Sequence, residues 1–85
     1  MIDANDTTSL SQQVQALLVD ALRVPAEQVT STLAFGDLPQ WDSMGHMEVM
    51  MLLETRYGVE INAEIIGTLT SIPIICAYLQ ENGHV

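Results

Sequence analysis

Apolar residues recur at helical spacing near the start of the chain, after a polar stretch over residues 1–8 that we expect to be frayed. The segment Ser9-Leu10-Ser11-Gln12 fits a capping box, with Ser9 as the cap and Gln12 reaching back to it. The residues that follow predict an amphipathic first helix, which Pro25 ends or separates from the next segment. Its apolar stripe consists of Val14, Leu17, Leu18, Ala21 and Leu22.

A second helix is predicted to begin at Asp42 or Ser43 and to end before Gly58, because glycine is favoured just beyond a helix C-terminus. This helix has two distinct apolar faces. One face, which we assign to the core, consists of His46, Val49, Met50, Leu53 and Tyr57. The other consists of Met44, Met47 and Met51, with Glu48 between them.

Two further helices are predicted near the C-terminus. Asn62 can cap a short third helix that Gly67 closes, and Thr70 or Ser71 can cap a last helix that ends at Gly83. The chain shows no alternating β pattern and no internal repeat. We therefore expect one all-α domain over residues 1–85, a four-helix bundle of three longer helices and one short one. The inward residues of the last helix are predicted to be Ile75, Cys76, Tyr78 and Leu79.

The connection between the first two helices is longer than most loops, which suggests either a function or a packed structural loop. Gly36 and Pro39 interrupt it, and we expect Trp41 to anchor it near the start of the second helix. The other apolar anchors predicted along it are Val29, Leu33, Phe35 and Leu38.

The chain of 85 residues is strongly acidic, with a formal net charge of −9 and only two basic side chains, Arg23 and Arg56. Such a charge repels nucleic acids and anionic membranes, so we expect neither as a partner. It suits partners with basic patches, although it can also serve solubility alone. Cys76 is the single cysteine and is expected to be a buried apolar residue. With no signal-peptide pattern or membrane span in the sequence, we expect a cytoplasmic monomer.

Ser43 lies where the loop gives way to the second helix, and three roles are open to it. It can cap the helix, as serine and aspartate both do. It can act as a nucleophile, but His46 is predicted to face the core and there is no nucleophile-elbow motif, so we do not expect an enzyme. It can also carry a phosphodiester, because a helix N-terminus stabilises a phosphate group. No zinc-binding His-Glu-x-x-His motif is present, and no metal site is expected.

The sequence resembles the acyl carrier protein family over residues 9–83. The likeness lies in Asp42-Ser43-Met44 at the start of a helix, preceded by Gly36 and Leu38, and in residues downstream of it. Those residues are Glu54, Tyr57-Gly58-Val59 and Ile61.

The resemblance implies that Ser43 bears 4′-phosphopantetheine, transferred from coenzyme A by a phosphopantetheinyl transferase that Asp42 helps to recruit. The thiol of this arm would hold an acyl or aminoacyl group as a thioester, and the second helix would be the main face shown to partner enzymes. Our hypothesis is that the short third helix opens to admit the acyl chain between the helices.

The sequence departs from the family pattern at Met44, where leucine is commonest, and in the scarcity of acidic residues along the second helix. Methionine suits surfaces that must fit several partners, so we predict an exposed docking patch; the alternative is that this stripe is buried. The predicted partner-binding residues are Met44, Met47, Glu48, Met51 and Arg56.

The scarcity of acidic residues along the second helix favours a stand-alone carrier of polyketide or related specialised metabolism over a fatty-acid carrier. By resemblance, Trp41 before the motif fits such a carrier too. Its partners would be an acyltransferase or adenylating loading enzyme and a ketosynthase or another downstream enzyme. Two alternatives remain open: a carrier of aminoacyl or peptidyl groups, and an interaction module of the same fold that is never modified.

Overall fold

Four α-helices make up most of the chain in a computed structural model that describes residues 4–84, with the side chains of residues 9–84. They are α1 (Ala4–Leu22), α2 (Ser43–Tyr57), α3 (Ala63–Thr68) and α4 (Ile72–Glu81). A single 3₁₀ turn, Ala26–Gln28, follows α1, and an isolated antiparallel bridge joins Ala34 to Ser71. The predicted all-α bundle of three longer helices and one short helix is confirmed.

The start of α1 differs from the prediction. The helix begins at Ala4, so Ser9 lies inside it and the predicted capping box is wrong, as is the frayed start for residues 4–8. Residues 1–3 lie outside the described residues. Once a helix is nucleated, each added residue gains a hydrogen bond for little further entropy, so a polar stretch can extend it. Within the helix, the Ser11 hydroxyl accepts a hydrogen bond from the side chain of Gln15, one turn further along, at 3.0 Å.

The core lies where α1 packs against both α2 and α4. All five residues of the stripe predicted on α1 are buried, as are four of the five predicted on α2 and three of the four on α4. Tyr57 and Tyr78 are only half-buried. The ring of Tyr57 packs against the core while its hydroxyl reaches out and donates to Gln13 Oε1 at 3.1 Å. Tyrosine often divides itself between an apolar core and a polar surface in this way.

The long loop is ordered by hydrogen bonds to the start of α4. The N–H of Phe35 donates to the Thr70 carbonyl at 2.8 Å, and the N–H of Ile72 donates to the Leu33 carbonyl at 3.0 Å. Val29 and Leu33 are buried as predicted, and Leu38 packs partly against the core. Phe35 is 42% exposed, and its ring lies edge-on against the rings of Trp41 and His46.

The helix ends mostly follow the predicted chemistry. Gly58 closes α2 with a left-handed backbone (φ 72°), while the side chains of Asn62 and Ser71 cap α3 and α4. Gly67 is the exception: it lies within α3, which continues to Thr68. Glycine occurs inside helices as well as at left-handed helix ends, so the position of a glycine alone does not fix where a helix ends.

The C-terminal tail packs over the end of α2, a contact that the sequence pattern does not reveal. The Nδ1 of His84 lies 3.1 Å from the carbonyl oxygen of Tyr57, and the imidazole stacks on the ring of Tyr78 with 5.7 Å between ring centroids. One of the carbonyls left without a helical partner at the end of α2 is thereby satisfied.

Two helical glycines should respond to alanine in opposite directions. At Gly45 an added Cβ would press into the backbone carbonyl oxygen of Gln40 and lie 2.9 Å from Leu22 Cδ2, whereas at Gly67 it would meet open space. We expect Gly45→Ala to lower the free energy of unfolding by about 1–3 kcal/mol, as overpacking does. Gly67→Ala should raise it by about 0.5–1 kcal/mol, because alanine is the better helix former. Urea unfolding of both variants measures these free energies. Shifts of the same sign would contradict the tight packing at Gly45 or the open space at Gly67.

Candidate functional site

Asp42, and not Ser43, caps the second helix. The backbone of Asp42 is extended (φ −103°, ψ −164°), and its Oδ1 accepts a hydrogen bond from the N–H of Gly45 at 2.9 Å. Ser43 is therefore the first helical residue, and the interpretation of this serine as the N-cap is wrong. Its side chain is exposed to solvent. The hydroxyl is thus available for other chemistry.

The electrostatics at the start of α2 favour an anion. The unpaired N–H groups and the positive end of the helix dipole lie at the first turn, where Ser43 is placed. No residue of that first turn is acidic, although Asp42 precedes it. A phosphate ester on Ser43 would gain from the dipole with a single neighbouring carboxylate to oppose it. The position fits a phosphodiester-linked group.

His46 is buried below this site, with only 5% of its surface exposed. Its Nδ1 accepts a hydrogen bond from the indole N–H of Trp41 at 3.0 Å, and its Nε2 lies 2.7 Å from the carbonyl oxygen of Ile66 in α3. Both ring nitrogens are engaged, so the imidazole is not placed to take a proton from Ser43. The arrangement gives no support to a serine nucleophile.

The Trp41–His46–Ile66 link was not predicted, although the sequence holds a signal for it. A histidine assigned to the core face of a helix must find hydrogen-bond partners. An indole N–H is a donor that usually finds an acceptor when buried. Trp41, fully buried and five residues before His46, was the nearest candidate. The second partner, a backbone carbonyl of α3, cannot be read from side-chain types.

A cleft of about 380 Å³ opens beside Ser43 between α2 and α3. Its walls are mostly apolar, and the serine lies at its edge. A group attached to Ser43 would therefore begin next to the cleft. The lining includes Phe35, Ser43, His46, Met47, Ile66 and Thr70.

The three methionines Met44, Met47 and Met51 form an exposed strip that we call the methionine face. Their side chains are 80%, 44% and 54% exposed, so the alternative that this stripe is buried is wrong. Glu48 is exposed among them. Arg56 is set apart, because its guanidinium pairs with the Asp20 carboxylate of α1 at 2.6 Å.

Cys76 is buried in α4, as predicted, and burial raises the pKa of its thiol. A thiol kept neutral and covered reacts slowly with alkylating reagents. Among the residues that the structure describes, no three histidine, cysteine or acidic side chains come together as a metal site. No helix in this part of the chain is both long and apolar enough to cross a membrane.

Comparison with known proteins gives a family. Residues 12–79 match the family model described as the phosphopantetheine attachment site. The chain is 31% identical over 74 residues to an acyl carrier protein of Helicobacter pylori (strain G27), an alignment that covers 87% of this chain and 95% of the relative. The acyl carrier protein of Helicobacter acinonychis (strain Sheeba) is 30% identical with the same coverage of both chains. No solved structure matches the chain. The chain therefore belongs to the acyl carrier protein family, and its prosthetic group is a covalently attached 4′-phosphopantetheine.

Proposed function

We propose that Ser43 bears the 4′-phosphopantetheine arm and that the chain carries acyl groups on it for other enzymes. The observation that carries the proposal is an exposed serine at the positive end of α2, where it lines a mostly apolar cleft of about 380 Å³. The arm supplies a thiol that binds cargo as a thioester. The chain itself holds the hydroxyl in reach of a transferase, which removes its proton as the Oγ–phosphorus bond forms. At the same time the pyrophosphate bond of coenzyme A breaks, and its adenosine bisphosphate half leaves. Catalysis belongs to the enzymes that modify and load the carrier.

Asp42 has two separable roles in this proposal. Its carboxylate caps α2 and so fixes the direction in which Ser43 leaves the helix. As an exposed negative charge next to the serine, it also offers the transferase a recognition group. The first role needs only an acceptor oxygen, whereas the second needs the charge.

The methionine face is the proposed docking surface, and its occupant is an enzyme that reacts with the arm. Any such enzyme must approach the start of α2, where Met44 follows Ser43 directly. Three exposed methionines favour an apolar contact, and the flexible methionine side chain adapts its shape to different surfaces. The net charge of −9 over the whole chain favours a partner with a basic rim around that contact. Glu48 belongs to this surface. Arg56 stays a predicted partner contact at its edge, where its exposed guanidinium pairs with the Asp20 carboxylate of α1.

The cargo is proposed to enter the cleft between α2 and α3. None of the six residues of α3 is fully buried. Packing therefore stabilises this helix only weakly, and a helix this short is not stable by itself. A modest displacement of α3 would widen the cleft for an acyl chain. The cleft is mostly apolar, which favours acyl over strongly polar cargo.

We further propose that the pathway is one of polyketide or related specialised metabolism. Few acidic residues lie on the methionine face. The partner that docks there would therefore need fewer basic residues at the centre of its surface than a partner of a fatty-acid carrier. The loading enzyme would be an acyltransferase or an adenylating enzyme, and a ketosynthase or similar enzyme would follow. An aminoacyl or peptidyl carrier is the second candidate, because the same fold and serine serve both cargoes.

Modification should require the hydroxyl of Ser43. Incubation with coenzyme A and a broad-specificity phosphopantetheinyl transferase is expected to add the mass of one phosphopantetheine, and Ser43→Ala should add none. Because Ser43 is not the helix cap, this variant should keep its free energy of unfolding within about 0.5 kcal/mol. Intact mass and urea unfolding together give the answer. An unmodified wild-type protein that is well folded would point instead to an interaction module.

Substitutions of Asp42 should separate the cap from the recognition group. Asp42→Asn keeps an acceptor for the Gly45 N–H, so its stability should change by only a few tenths of a kcal/mol, whereas Asp42→Ala should lose about 1 kcal/mol. If the transferase reads the charge, both variants should be modified more slowly than wild type and to a similar extent. Modification of Asp42→Asn at the wild-type rate would reduce Asp42 to a cap.

A charge in the methionine face should weaken docking. Met47→Glu and Met51→Glu are expected to slow cargo transfer to or from a partner enzyme at least tenfold, while the folded state persists. Met51 does not line the cleft, so its variant tests docking without touching the cargo path. Ile74→Glu in α4 is the control, since Ile74 is 41% exposed and closely matches Met47. Equal transfer rates in all three variants would rule out the methionine face.

A further inference from the structure

The short helix α3 depends on a hydrogen bond from α2. A helix of six residues is far below the length that is stable by itself in water. The last four carbonyls of any helix also lack partners within it. In α3 the Ile65 carbonyl accepts from the N–H of Leu69, while the Ile66 carbonyl is met by Nε2 of His46 at 2.7 Å. A side chain of α2 thus completes the C-terminal end of α3.

Trp41 decides which nitrogen of His46 carries the proton. A neutral imidazole has one donor and one acceptor, and an indole N–H can only donate. Because Trp41 Nε1 lies 3.0 Å from His46 Nδ1, that nitrogen must be the acceptor and the proton must lie on Nε2. The Nε2–H then points at the Ile66 carbonyl. Without the indole N–H, the other tautomer would set two acceptors against each other.

The surroundings hold this arrangement in place. Trp41 is fully buried, and its carbonyl accepts a hydrogen bond from the N–H of Gly36 at 3.1 Å. Phe35 lies edge-on to the His46 ring, with 5.4 Å between centroids. The loop therefore fixes the indole, the indole fixes the imidazole, and the imidazole reaches α3.

We propose that His46 is a positioning residue that latches α3 onto α2 and thereby sets how far the cleft beside Ser43 opens. His46 and Ile66 both line the cleft, so their hydrogen bond closes it at that point. A group that passes between the helices must break this bond, which leaves a buried donor without its partner. The proposal rests on the proposed function only for what enters the cleft; the latch itself is a property of the unmodified chain.

Hydrogen exchange on the unmodified protein tests the latch through three variants. His46→Phe keeps a ring but removes both nitrogens. Trp41→Phe keeps an aromatic ring but removes the indole N–H. Each should raise the exchange rates of amides in residues 63–69 about tenfold relative to those of α1. His46→Gln carries one acceptor and one donor on the same amide, so it should stay within about threefold of wild type. The double variant Trp41→Phe/His46→Phe should match His46→Phe alone, because both changes break one link.

The control is Val14→Ala, which removes packing from the buried face of α1 and leaves the residues of the Trp41–His46–Ile66 link unchanged. It should raise exchange in α1 and α3 together, with their ratio unchanged. The latch is overturned if the ratio also stays unchanged in His46→Phe, or if Val14→Ala shifts it as much. Should His46→Phe fail to fold, the ratio in Trp41→Phe decides alone. A negative result leaves phosphopantetheine attachment to Ser43 standing, and a failure of attachment leaves the latch standing, since the two measurements share no reagent.

Discussion

A buried imidazole joins three parts of this chain that are separate in sequence. The His46 ring accepts from Trp41 in the loop, belongs to α2, and faces the carbonyl of Ile66 in α3. Burying a polar side chain is tolerated only if its hydrogen bonds are met, so each of these parts constrains the other two. The start of α2, the end of the loop and the position of α3 are thus set together, directly beneath Ser43.

The surface of the molecule combines a high negative charge with a small exposed apolar patch, a combination that suits brief encounters with partners. A net charge of −9 gives long-range attraction toward a basic partner and repulsion between copies of the chain. As the proposed docking surface, the methionine face would add short-range apolar contact beside Ser43. Charge speeds the encounter, and a small apolar patch limits how long it lasts. A carrier that must visit several enzymes in turn needs both properties.

Much of the fold followed from periodicity. The α1 stripe and the two faces of α2 were predicted from spacing alone, because burial of an apolar face is the main force that orients a helix. Boundaries were less certain: Ser9 looked like a cap but lies inside α1, and Gly67 looked like an end but lies inside α3. Serine and glycine are each tolerated within helices, so their presence suggests an end without fixing it. The partial exposure of Phe35 could not be predicted from its residue type, because it depends on where the Trp41 and His46 rings lie.

The sequence by itself determined the helices, the acidity of the chain, the family likeness around Asp42-Ser43-Met44 and the split of α2 into a core face and a methionine face. These features depend on residue type and local spacing. Only the tertiary structure decided that Asp42 is the cap, that Arg56 turns to Asp20, and that His46 reaches the backbone of α3. Such contacts join residues up to 36 positions apart, and a backbone carbonyl is the same at every residue. Their geometry exists only once the helices have packed.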